Sequence, residues 1–473
     1  MKHQLFWIGL ILCLFQSCSP SESYDLIILN GSVYDGTGVV AQYLDIGIRG
    51  DQIVKIGQLD SAPSKRVIDA EGLIVSPGFI DTHVHLDPMD SFIKLADAES
   101  HIRQGVTTSF GGPDGRGVPT EYGFKEFLDS IEKVGIGMNV GFLTGHNKVR
   151  KVVMGLDNRA PTEEELNLMV SMVSQAMEEG AYGISTGLKY LPGNFSNVDE
   201  VIALSKAASN KKGVYTSHLR DEGLEIMPAI REAIQISKEA DIRVVLTHHK
   251  VIGKPMWGKS NETLALVDSA RQKGLKIRLD QYPYNASHTG ISVLIPTWAR
   301  AGGASAFKAR VENPTQKEQI EKEIVFNILN DRGGDDLKRI QFAKVDWMPE
   351  LEGKTLYDWA VMQKMEPTLA NGAKLVVKAQ LNGGASCIFH AMDEADVENI
   401  MKHPFTMIAS DGRLSEPGVG HPHPRAYGTF PRVLGHYVRD RKIITLSEAI
   451  YKMTLLPAES FGLKKRGVLK EGY

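Results

Sequence analysis

Two histidines one residue apart, His83 and His85, are the residues of this sequence that most directly suggest chemistry. They end the stretch V-S-P-G-F-I-D-T-H-V-H-L-D, whose apolar run from Gly78 to Ile80 predicts a short buried strand. Residues i and i+2 of a strand point to the same face, so the two imidazoles project side by side where the strand ends. Two neighbouring nitrogen ligands are what a metal ion such as zinc requires. A lone H-x-H pair is weak evidence, so the hypothesis of a metal hydrolase depends on further residues.

Other predicted strands also end in imidazoles and carboxylates. Short apolar strands alternate with helical patterns from Phe79 onward, which predicts parallel βαβ units and, at this length, a closed α/β fold of the (β/α)8 TIM-like barrel type. Catalytic groups of such barrels lie at the carboxyl ends of the strands. The residues at these ends are His83, His85, Asp114, His218, His248 and Asp411. Together they offer the imidazole and carboxylate ligands of a divalent ion that keeps a position open for water.

The elements around these residues suggest three parts. Residues 19–75 show short alternating strands separated by turns such as Asn30-Gly31, which predicts a small β-domain. Residues 76–473 form the predicted barrel, with helical patterns over residues 124–134, 163–179, 226–239 and 262–273. The regularity weakens at about 285–380, which predicts an insertion. It either covers the active site or is a variable surface excursion.

The composition excludes some partners. The 473 residues carry a net charge of −3, with 42% hydrophobic and 23% charged residues, which is ordinary for a soluble globular protein. There is no basic tract, so we expect no nucleic acid partner. A small-molecule substrate is the expected partner.

The N-terminus, residues 1–18, reads as a targeting segment. Its apolar run, Leu5 to Phe15, is too short to span a bilayer as a helix and fits a secretory signal peptide. Ser17 stands directly before Cys18 and a Ser-rich spacer follows, which resembles a bacterial lipoprotein cleavage site, although Phe15 stands where leucine is usual. We expect export across the inner membrane and a lipid anchor on Cys18, the alternative being ordinary cleavage and a periplasmic protein. With Cys387 as the other cysteine of the mature chain, no disulfide framework is expected.

Longer motifs resemble a known family. The stretch R-V-I-D-A-E-G-L-I-V-S-P-G-F-I-D-T-H-V-H-L-D is typical of the amidohydrolase superfamily. The motifs D-Q-Y-P-Y, A-S-D-G, H-P-H-P-R-A-Y-G-T-F-P-R-V-L-G-H-Y-V-R and M-T-L-L-P-A-E-S-F-G-L are similar to those of the N-acyl-D-amino-acid deacylases, or D-aminoacylases. The resemblance implies a barrel with a small β-sandwich formed mainly by the N-terminal segment. It also implies one or two divalent ions, zinc by preference, and hydrolysis of N-acyl-D-amino acids to a free D-amino acid and a carboxylate.

Other functions remain open on the same scaffold. A dipeptidase or a cyclic-amide hydrolase would use the same barrel and the same metal ligands. A barrel that has lost its metal and become a binding protein is the alternative from a different functional class. The intact set of four histidines and Asp411 disfavours it.

The resemblance implies roles for the residues at the strand ends. His218 and His248 match the histidines of the tightly bound zinc in the family. His83 and His85 match the histidines of the second metal subsite. Asp411 matches the catalytic aspartate, which implies that it moves the proton during hydrolysis.

The resemblance also implies residues that bind substrate. Tyr190 and Lys250 match the pair that binds the free carboxylate of the substrate. Tyr282 matches a candidate hydrogen-bond donor to the scissile carbonyl. Phe389 and Met392 fall where the family lines the pocket for the amino-acid side chain, the alternative being that they pack in the core.

One position departs from the family. Well-known deacylases of this kind carry a metal-binding cysteine after G-V-T-T, where this chain has Asp114. A carboxylate is a harder ligand than a thiolate, so we expect weaker zinc binding and competition from other divalent ions. Alternatively Asp114 does not bind metal, and a carboxylated lysine bridges two ions as in other members of the superfamily. Lys189 lies close to the position of that lysine, and we favour Asp114 over it.

The C-terminal end also departs from the family. Family members continue after G-V-L-K-E-G-Y with strands that return to the small β-domain, whereas this sequence ends at Tyr473. The sequence is then either a fragment or has a β-domain with an unpaired edge, which would favour aggregation.

Overall fold

The computed structural model describes residues 23–60, 62–86, 89–117 and 123–473. The predicted signal peptide and Cys18 lie outside the described residues. The described chain divides into two compact units, the first made of residues 23–35, 40–76 and 469–473 and the second of residues 36–39 and 77–468.

The first unit is a small β-domain. Its strands are β1 (Leu26–Val33), β2 (Gln42–Arg49), β3 (Gln52–Gly57), β4 (Val67–Asp69) and β5 (Ile74–Val75). They form a mixed sheet in the order β3-β2-β1-β4, in which β1 also pairs with β5. Because β4 and β5 both pair with β1, the described strands of the predicted sandwich form one sheet. The C-terminal segment belongs to this unit, since the carbonyl of Tyr473 accepts a hydrogen bond of 2.9 Å from the amide of Ile53.

The second unit contains the barrel and an inserted subdomain. Its strands are β6 (Phe79–Asp81), β7 (Val84–His85), β8 (Val106–Gly111), β9 (Asn139–Phe142), β10 (Thr144–Gly145), β11 (Gly183–Gly187), β12 (Val214–His218), β13 (Arg243–Leu246), β14 (Ile277–Gln281), β15 (Ser287–Gly290), β16 (Ile340–Lys344), β17 (Ser386–Phe389), β18 (Thr406–Ile408) and β19 (Gly412–Arg413). The barrel strands pair in parallel, in the orders β6-β8-β9, β10-β11-β12-β13-β14-β18 and β19-β7. Three barrel strands are each interrupted by a short break, which divides them into β6 and β7, β9 and β10, and β18 and β19. The two halves of each strand belong to different sheets, so together they join the three sheets in the order of a (β/α)8 barrel.

Helices alternate with the barrel strands as the sequence predicts. They are α1 (Met89–Lys94), α2 (Glu99–Ile102), α3 (Phe124–Val134), α4 (His146–Met154), α5 (Glu163–Glu178), α6 (Val198–Ser209), α7 (Ile226–Ala240), α8 (Ser260–Gln272), α9 (Thr297–Arg300), α10 (Gly303–Glu312), α11 (Pro314–Asn327), α12 (Leu356–Met362), α13 (Leu369–Leu381), α14 (Glu394–Lys402), α15 (Arg425–Arg432), α16 (Leu446–Met453) and α17 (Leu455–Phe461). The four predicted helices are confirmed as α3, α5, α7 and α8, with ends that differ by at most two residues.

Local signals and burial explain why these helices form where they do. Thr162 and Glu165 cap the start of α5 by bonding reciprocally to each other's backbone amides. Apolar strand residues such as Ile184, Leu246 and Leu279 are fully buried in the core between strands and helices. Among the helices described, none is both long and apolar enough to cross a membrane.

The insertion forms a subdomain with its own core. Strands β15, β17 and β16 make an antiparallel sheet with β17 in the middle, and α9 to α13 lie in the same part of the chain. Phe342, Trp359 and Phe389 are fully buried in this core. The insertion therefore runs past the predicted end near residue 380, because β17 is needed to complete the sheet.

Candidate active site and metal centre

A cavity of about 520 Å³ collects the residues at the carboxyl ends of the barrel strands. His85, Asp114, His218, His248 and Asp411 line it from the barrel. The insertion lines it as well, through residues that include Thr289, Arg332 and Trp347. Since the insertion contributes to the walls, it covers the site and is more than a surface excursion.

Asp114 lies at the centre of the predicted ligands. Its Oδ1 atom is 3.4 Å from His248 Nε2, 3.6 Å from His83 Nε2 and 3.7 Å from His218 Nδ1. Its Oδ2 atom is 3.5 Å from His85 Nε2. The ligand atoms form two groups, each within 4.8 Å, that share Asp114: His83, His85, Asp114 and Asp411 in one, and Asp114, His218 and His248 in the other.

This arrangement fits a divalent ion. Ligand atoms about 2.1 Å from a tetrahedral ion lie roughly 3.4 Å apart, which is close to the separations around Asp114. Nε2 of His83 and Oδ1 of Asp114 are buried and make no hydrogen bond, whereas buried polar atoms are normally paired. His218 Nδ1 and His248 Nε2 are 2.7 Å apart, which is a hydrogen-bond distance, and a metal ion bound there would displace any proton between them.

Three of these residues have a left-handed backbone. The φ angles of Asp114, His248 and Asp411 are 55°, 38° and 50°, a region that residues other than glycine seldom occupy and that clusters at functional sites.

Two buried carboxylates hold the backbone next to these residues in place. Asp280 Oδ1 accepts a hydrogen bond from the amide of His248 at 2.5 Å, and Asp81 Oδ1 accepts one from the amide of Ser410 at 2.9 Å. Sequence reasoning did not identify either carboxylate.

Glu222 is a further residue that the sequence did not reveal. Its Oε1 atom lies 3.0 Å from His248 Nδ1, and its Oε2 atom lies 3.8 Å from His218 Nε2. A carboxylate behind a metal-binding imidazole fixes the orientation and the tautomer of the ring. Burial disfavours the charged form, but Lys250 and the two imidazoles outweigh it and hold the pKa of Glu222 well below its usual range. Its position in the motif Y-T-S-H-L-R-D-E, four residues after His218, was the available signal.

The predicted carboxylate-binding pair lines the cavity. Lys250 is ion-paired with Glu222, and its Nζ atom lies 2.7 Å from His248 Nδ1. The hydroxyl of Tyr190 is 3.1 Å from Thr289 Oγ1, and its ring centroid is 4.6 Å from that of His218. Lys250 therefore shares its charge with Glu222 beside the predicted metal ligands.

A second buried cation, Arg332, comes from the insertion. It is 2% exposed and lines the cavity. Its guanidinium donates to Ser287 Oγ at 3.0 Å and lies 3.6 Å from Glu222 Oε2. Arg332 does not follow a barrel strand, so the search for polar residues at the carboxyl ends of predicted strands could not identify it.

Lys189, the alternative bridging ligand, lies in an ion-pair network. Its Nζ atom is 3.0 Å from Asp221 Oδ2 and 3.4 Å from Asp331 Oδ2. Burial opposes its charge, but the carboxylates of Asp331 and Asp221 raise the pKa of Lys189. Carboxylation needs a neutral amine, so the structure disfavours that alternative and brings Asp114 to the ligand groups.

Asp411 joins the imidazoles to an arginine. Its Oδ1 atom lies 3.1 Å from His85 Nε2, and its Oδ2 atom lies 2.7 Å from a terminal nitrogen of Arg425. Burial opposes the charged form, but Arg425 and the imidazoles hold the pKa of Asp411 below its usual range. Sequence reasoning missed Arg425, although it belongs to the quoted motif H-P-H-P-R.

Tyr282 presents a hydroxyl in the same cavity. Its ring lies 4.8 Å from the guanidinium carbon of Arg425. The hydroxyl is buried and makes no hydrogen bond in the structure. Burial raises the pKa of Tyr282 well above its usual value, so the hydroxyl stays protonated and can act as a hydrogen-bond donor.

The structure does not bring Phe389 or Met392 to the walls of this cavity, although Met392 lines a small neighbouring pocket with Lys250 and Tyr282. Both belong to the core of the insertion, and the ring of Phe389 lies 5.8 Å from the guanidinium carbon of Arg332. Side chains alternate along β17, so Ser386 lines the cavity while Phe389, three residues on, points into the core. This placement agrees with the core-packing alternative. The cavity is lined on the insertion side by Ser287, His288, Thr289, Trp347, Gln380 and Ser386, among others.

Comparison with known proteins agrees with this site. Residues 66–294 match the Amidohydrolase family. A D-aminoacylase of Alcaligenes xylosoxydans xylosoxydans is 34% identical over 485 residues, which cover 97% of this chain and 88% of that relative. An N-acyl-D-glutamate deacylase of the same organism is 35% identical over 473 residues, which cover 95% of this chain and 86% of that relative.

Solved structures agree with the sequence matches. An N-acyl-D-glutamate deacylase from Bordetella bronchiseptica, complexed with zinc and a phosphonate that mimics the tetrahedral intermediate, has a TM-score of 0.79 and 32% identity and covers 95% of this chain and 88% of its own. A D-aminoacylase has a TM-score of 0.79 and 33% identity with the same coverage. These similarities cover 95–97% of the chain and therefore include the barrel and the insertion. The chain therefore belongs to the amidohydrolase family, within its D-aminoacylase branch.

Proposed function

We propose that this protein hydrolyses the amide bond of N-acyl-D-amino acids and releases a free D-amino acid and a carboxylate. The observation that carries the proposal is the shared position of Asp114 between two groups of buried metal-ligand atoms in one cavity. The residues that would hold zinc there are His83, His85, Asp114, His218 and His248. Zinc bound at such a site supplies a water with a pKa near 7 and a positive charge that polarises a carbonyl oxygen.

Asp411 moves the proton in the proposed reaction. Its low pKa makes it a carboxylate at neutral pH, so it can accept a proton from the attacking water. The departing amine is a very poor leaving group unless it is protonated, and Asp411 then returns the proton to that nitrogen. Arg425 orients the carboxylate through the bond to Oδ2, which leaves Oδ1 on the side of His83 and His85.

Tyr282 stabilises the charge that develops on the acyl oxygen. The buried hydroxyl has no other hydrogen-bond partner and keeps its proton, so it can donate to that oxygen. A donor that is already in place costs no reorganisation during the reaction.

The free carboxylate of the substrate is bound by Lys250, Tyr190 and Arg332. Two of these groups are buried cations that both contact Glu222, and their two positive charges exceed its single negative charge, so a substrate carboxylate beside them is favourable. Tyr190 adds a hydroxyl donor, as the family resemblance implies.

The experiment is hydrolysis by the purified full chain of paired N-acetyl-D- and N-acetyl-L-amino acids, with zinc measured on the same sample. We expect turnover of D substrates that depends on zinc. Dipeptides and cyclic amides are the control substrates. Hydrolysis of those compounds without hydrolysis of N-acetyl-D-amino acids would assign the alternative activities, and a zinc-free, inactive protein would contradict the proposal.

We also propose that the mature protein is anchored by a lipid on Cys18. The support is the sequence around Cys18, with a preceding small residue and an apolar signal segment. Export across the inner membrane and partition with membranes are the expected outcomes, and Cys18→Ser should abolish the partition. Wild-type protein found wholly in the soluble fraction would instead assign ordinary secretion.

A further inference from the structure

The side chain of Asn147 lies where three backbone segments meet. It is 7% exposed and stands in the first turn of α4, directly after β10. Its Oδ1 atom accepts from the amide of Gly187 at 3.0 Å, and its Nδ2 atom donates to the carbonyl of Gly187 at 2.9 Å and to that of Tyr190 at 3.3 Å. Both the oxygen and the nitrogen of the Asn147 side chain are thus bonded to the segment that carries Tyr190.

These bonds replace a missing part of the sheet. β10 pairs with β11 at Thr144 with Ile184 and at Gly145 with Ser185, and the chain then turns into α4. The ladder between these two strands, as the described residues show it, stops two residues before Gly187. The side-chain amide of Asn147 donates to and accepts from Gly187 as a neighbouring strand would. The Tyr190 loop begins at the end of β11. The side chain of Asn147, from α4, therefore holds the start of this loop in place.

The loop that carries Asp114 packs against the same amide. A Cβ atom on Gly115 would lie 2.0 Å from Asn147 Oδ1, and one on Gly187 would lie 2.3 Å from the carbonyl oxygen of Asp114. Real Cβ atoms do not approach other atoms so closely, so glycine is required at both positions. Gly115 also has a φ of +71°, which continues the left-handed turn begun at Asp114. Asn147 therefore lies in direct contact with the Asp114 loop and the Tyr190 loop.

We propose that Asn147 is a positioning residue that holds the Asp114 loop and the Tyr190 loop relative to each other. It belongs to neither metal-ligand group and does not line the cavity, and it acts through Asp114 and Tyr190, which do. The inference rests on the proposed function, in which Asp114 binds zinc and Tyr190 contacts the substrate carboxylate. A leucine of similar size could fill the space, but it could not pair with both backbone groups of Gly187.

The test is Asn147→Asp, which keeps the shape and the acceptor atom but removes both N–H donors. Zinc affinity is measured by competition with a chelator, and KM and kcat are measured on an N-acetyl-D-amino acid. We expect zinc affinity to fall by about 10- to 100-fold, the range found when groups that orient metal ligands are removed. We expect KM to rise as well, because the Tyr190 loop loses the same support.

The matched control is Asn399→Asp. Nδ2 of Asn399 donates to Ser260 Oγ and Asn261 Oδ1, each at 2.9 Å, and none of these residues lines the cavity. Both variants lose two hydrogen bonds, and thermal unfolding should shift further in Asn147→Asp because Asn147 is the more buried of the two. Zinc affinity and KM should change only in Asn147→Asp. Equal zinc affinity in the two variants would overturn the inference. Failure of Asn147→Asp to fold where Asn399→Asp folds would also overturn it, since Asn147 would then support the barrel as a whole.

A double-mutant cycle tests the route through Asp114. If Asn147 acts on zinc by placing Asp114, Asn147→Asp should lower zinc affinity in the wild type and have little effect in Asp114→Ala. Independent, additive losses would contradict the inference. Absence of zinc binding or of hydrolysis in the wild type contradicts the proposed function instead, and it is observed before any variant is made.

Discussion

The two sides of the cavity are built in different ways. On the barrel side, the ends of parallel strands present His85, His218 and His248 directly from the sheet. On the insertion side, Thr289 and Arg332 come from a separate antiparallel sheet and its helices, which have their own core. The barrel side carries the predicted metal ligands together with Lys250 and Tyr190, and the insertion side carries cavity-lining groups that belong to neither metal-ligand group.

This difference suggests that the barrel and the insertion contribute to different functions of the site. Strand ends of a barrel are rigid, so they can hold metal ligands at fixed distances. A subdomain with a separate core can change its cavity-facing side chains without disturbing those ligands. Substitutions of the predicted metal ligands and of Asp411 on the barrel side should therefore change metal binding and kcat, whereas substitutions on the insertion side should change KM.

The largest effect is expected for His218→Ala. Without this imidazole the ligand group of Asp114, His218 and His248 is incomplete, and the pKa of the attacking water returns from about 7 towards about 15.7. Zinc content and turnover should fall together, with kcat lowered by about 10⁴-fold or more. Full zinc occupancy and normal turnover would show that the barrel side does not hold the metal through His218.

The next largest effect is expected for Asp411→Asn. The amide keeps the shape but cannot take up the proton, so kcat should fall by about 10²- to 10⁴-fold with little change in KM. Zinc should remain, because the histidines are unchanged. Near-normal kcat with zinc bound would mean that another group moves the proton.

A smaller effect on the same side is expected for Glu222→Gln. A neutral amide cannot accept hydrogen bonds from two imidazoles and balance the positive charge of Lys250 as a carboxylate does. Zinc affinity should therefore fall by about 10- to 100-fold. Chelator competition gives the affinity directly. If instead only KM rises, Glu222 serves the substrate side and the division between the two sides is less sharp than proposed.

On the insertion side, Arg332→Met should mainly raise KM. Loss of a charged hydrogen-bond donor to the substrate carboxylate costs about 1.5–3 kcal/mol, or about 10- to 150-fold in KM. Lys250→Ala, the barrel-side counterpart, should also raise KM more than it lowers kcat. Steady-state kinetics on N-acetyl-D-amino acids and on their C-terminal amides tests both variants. An amide has no free carboxylate, so neither substitution should raise its KM. A drop in zinc content of Arg332→Met would contradict the comparison.

The smallest effect is expected for Trp347→Phe. The indole nitrogen donates to the carbonyl of Gly384 at 2.7 Å, and both residues line the cavity. This neutral hydrogen bond lies within the protein and contributes about 0.5–1.5 kcal/mol, so its loss affects the substrate only through the position of the cavity wall. KM should therefore change by no more than about tenfold at constant zinc content and kcat. A larger change in kcat than in KM would show that this side takes part in the chemical step.

The sequence alone determined the barrel, four of its helices and the residues at its strand ends. Strand and helix periodicity depends on neighbouring residues, and parallel strands place their carboxyl ends at one edge. The sequence is therefore enough to predict that His218, His248 and Asp411 lie close together. The family motifs added the expected chemistry. The carboxylate of Asp114, where the family resemblance implies a cysteine, was also visible in the sequence.

Only the tertiary structure decided which groups support those residues. Glu222, Arg425 and Arg332 reach the site from separate parts of the chain, and no periodicity relates a buried side chain to a partner so distant in sequence. Phe389 lies in the core rather than the cavity because its direction depends on the face of β17 that it occupies. The left-handed turn at Asp114 is likewise held by contacts made in the folded chain, with Gly187 among them.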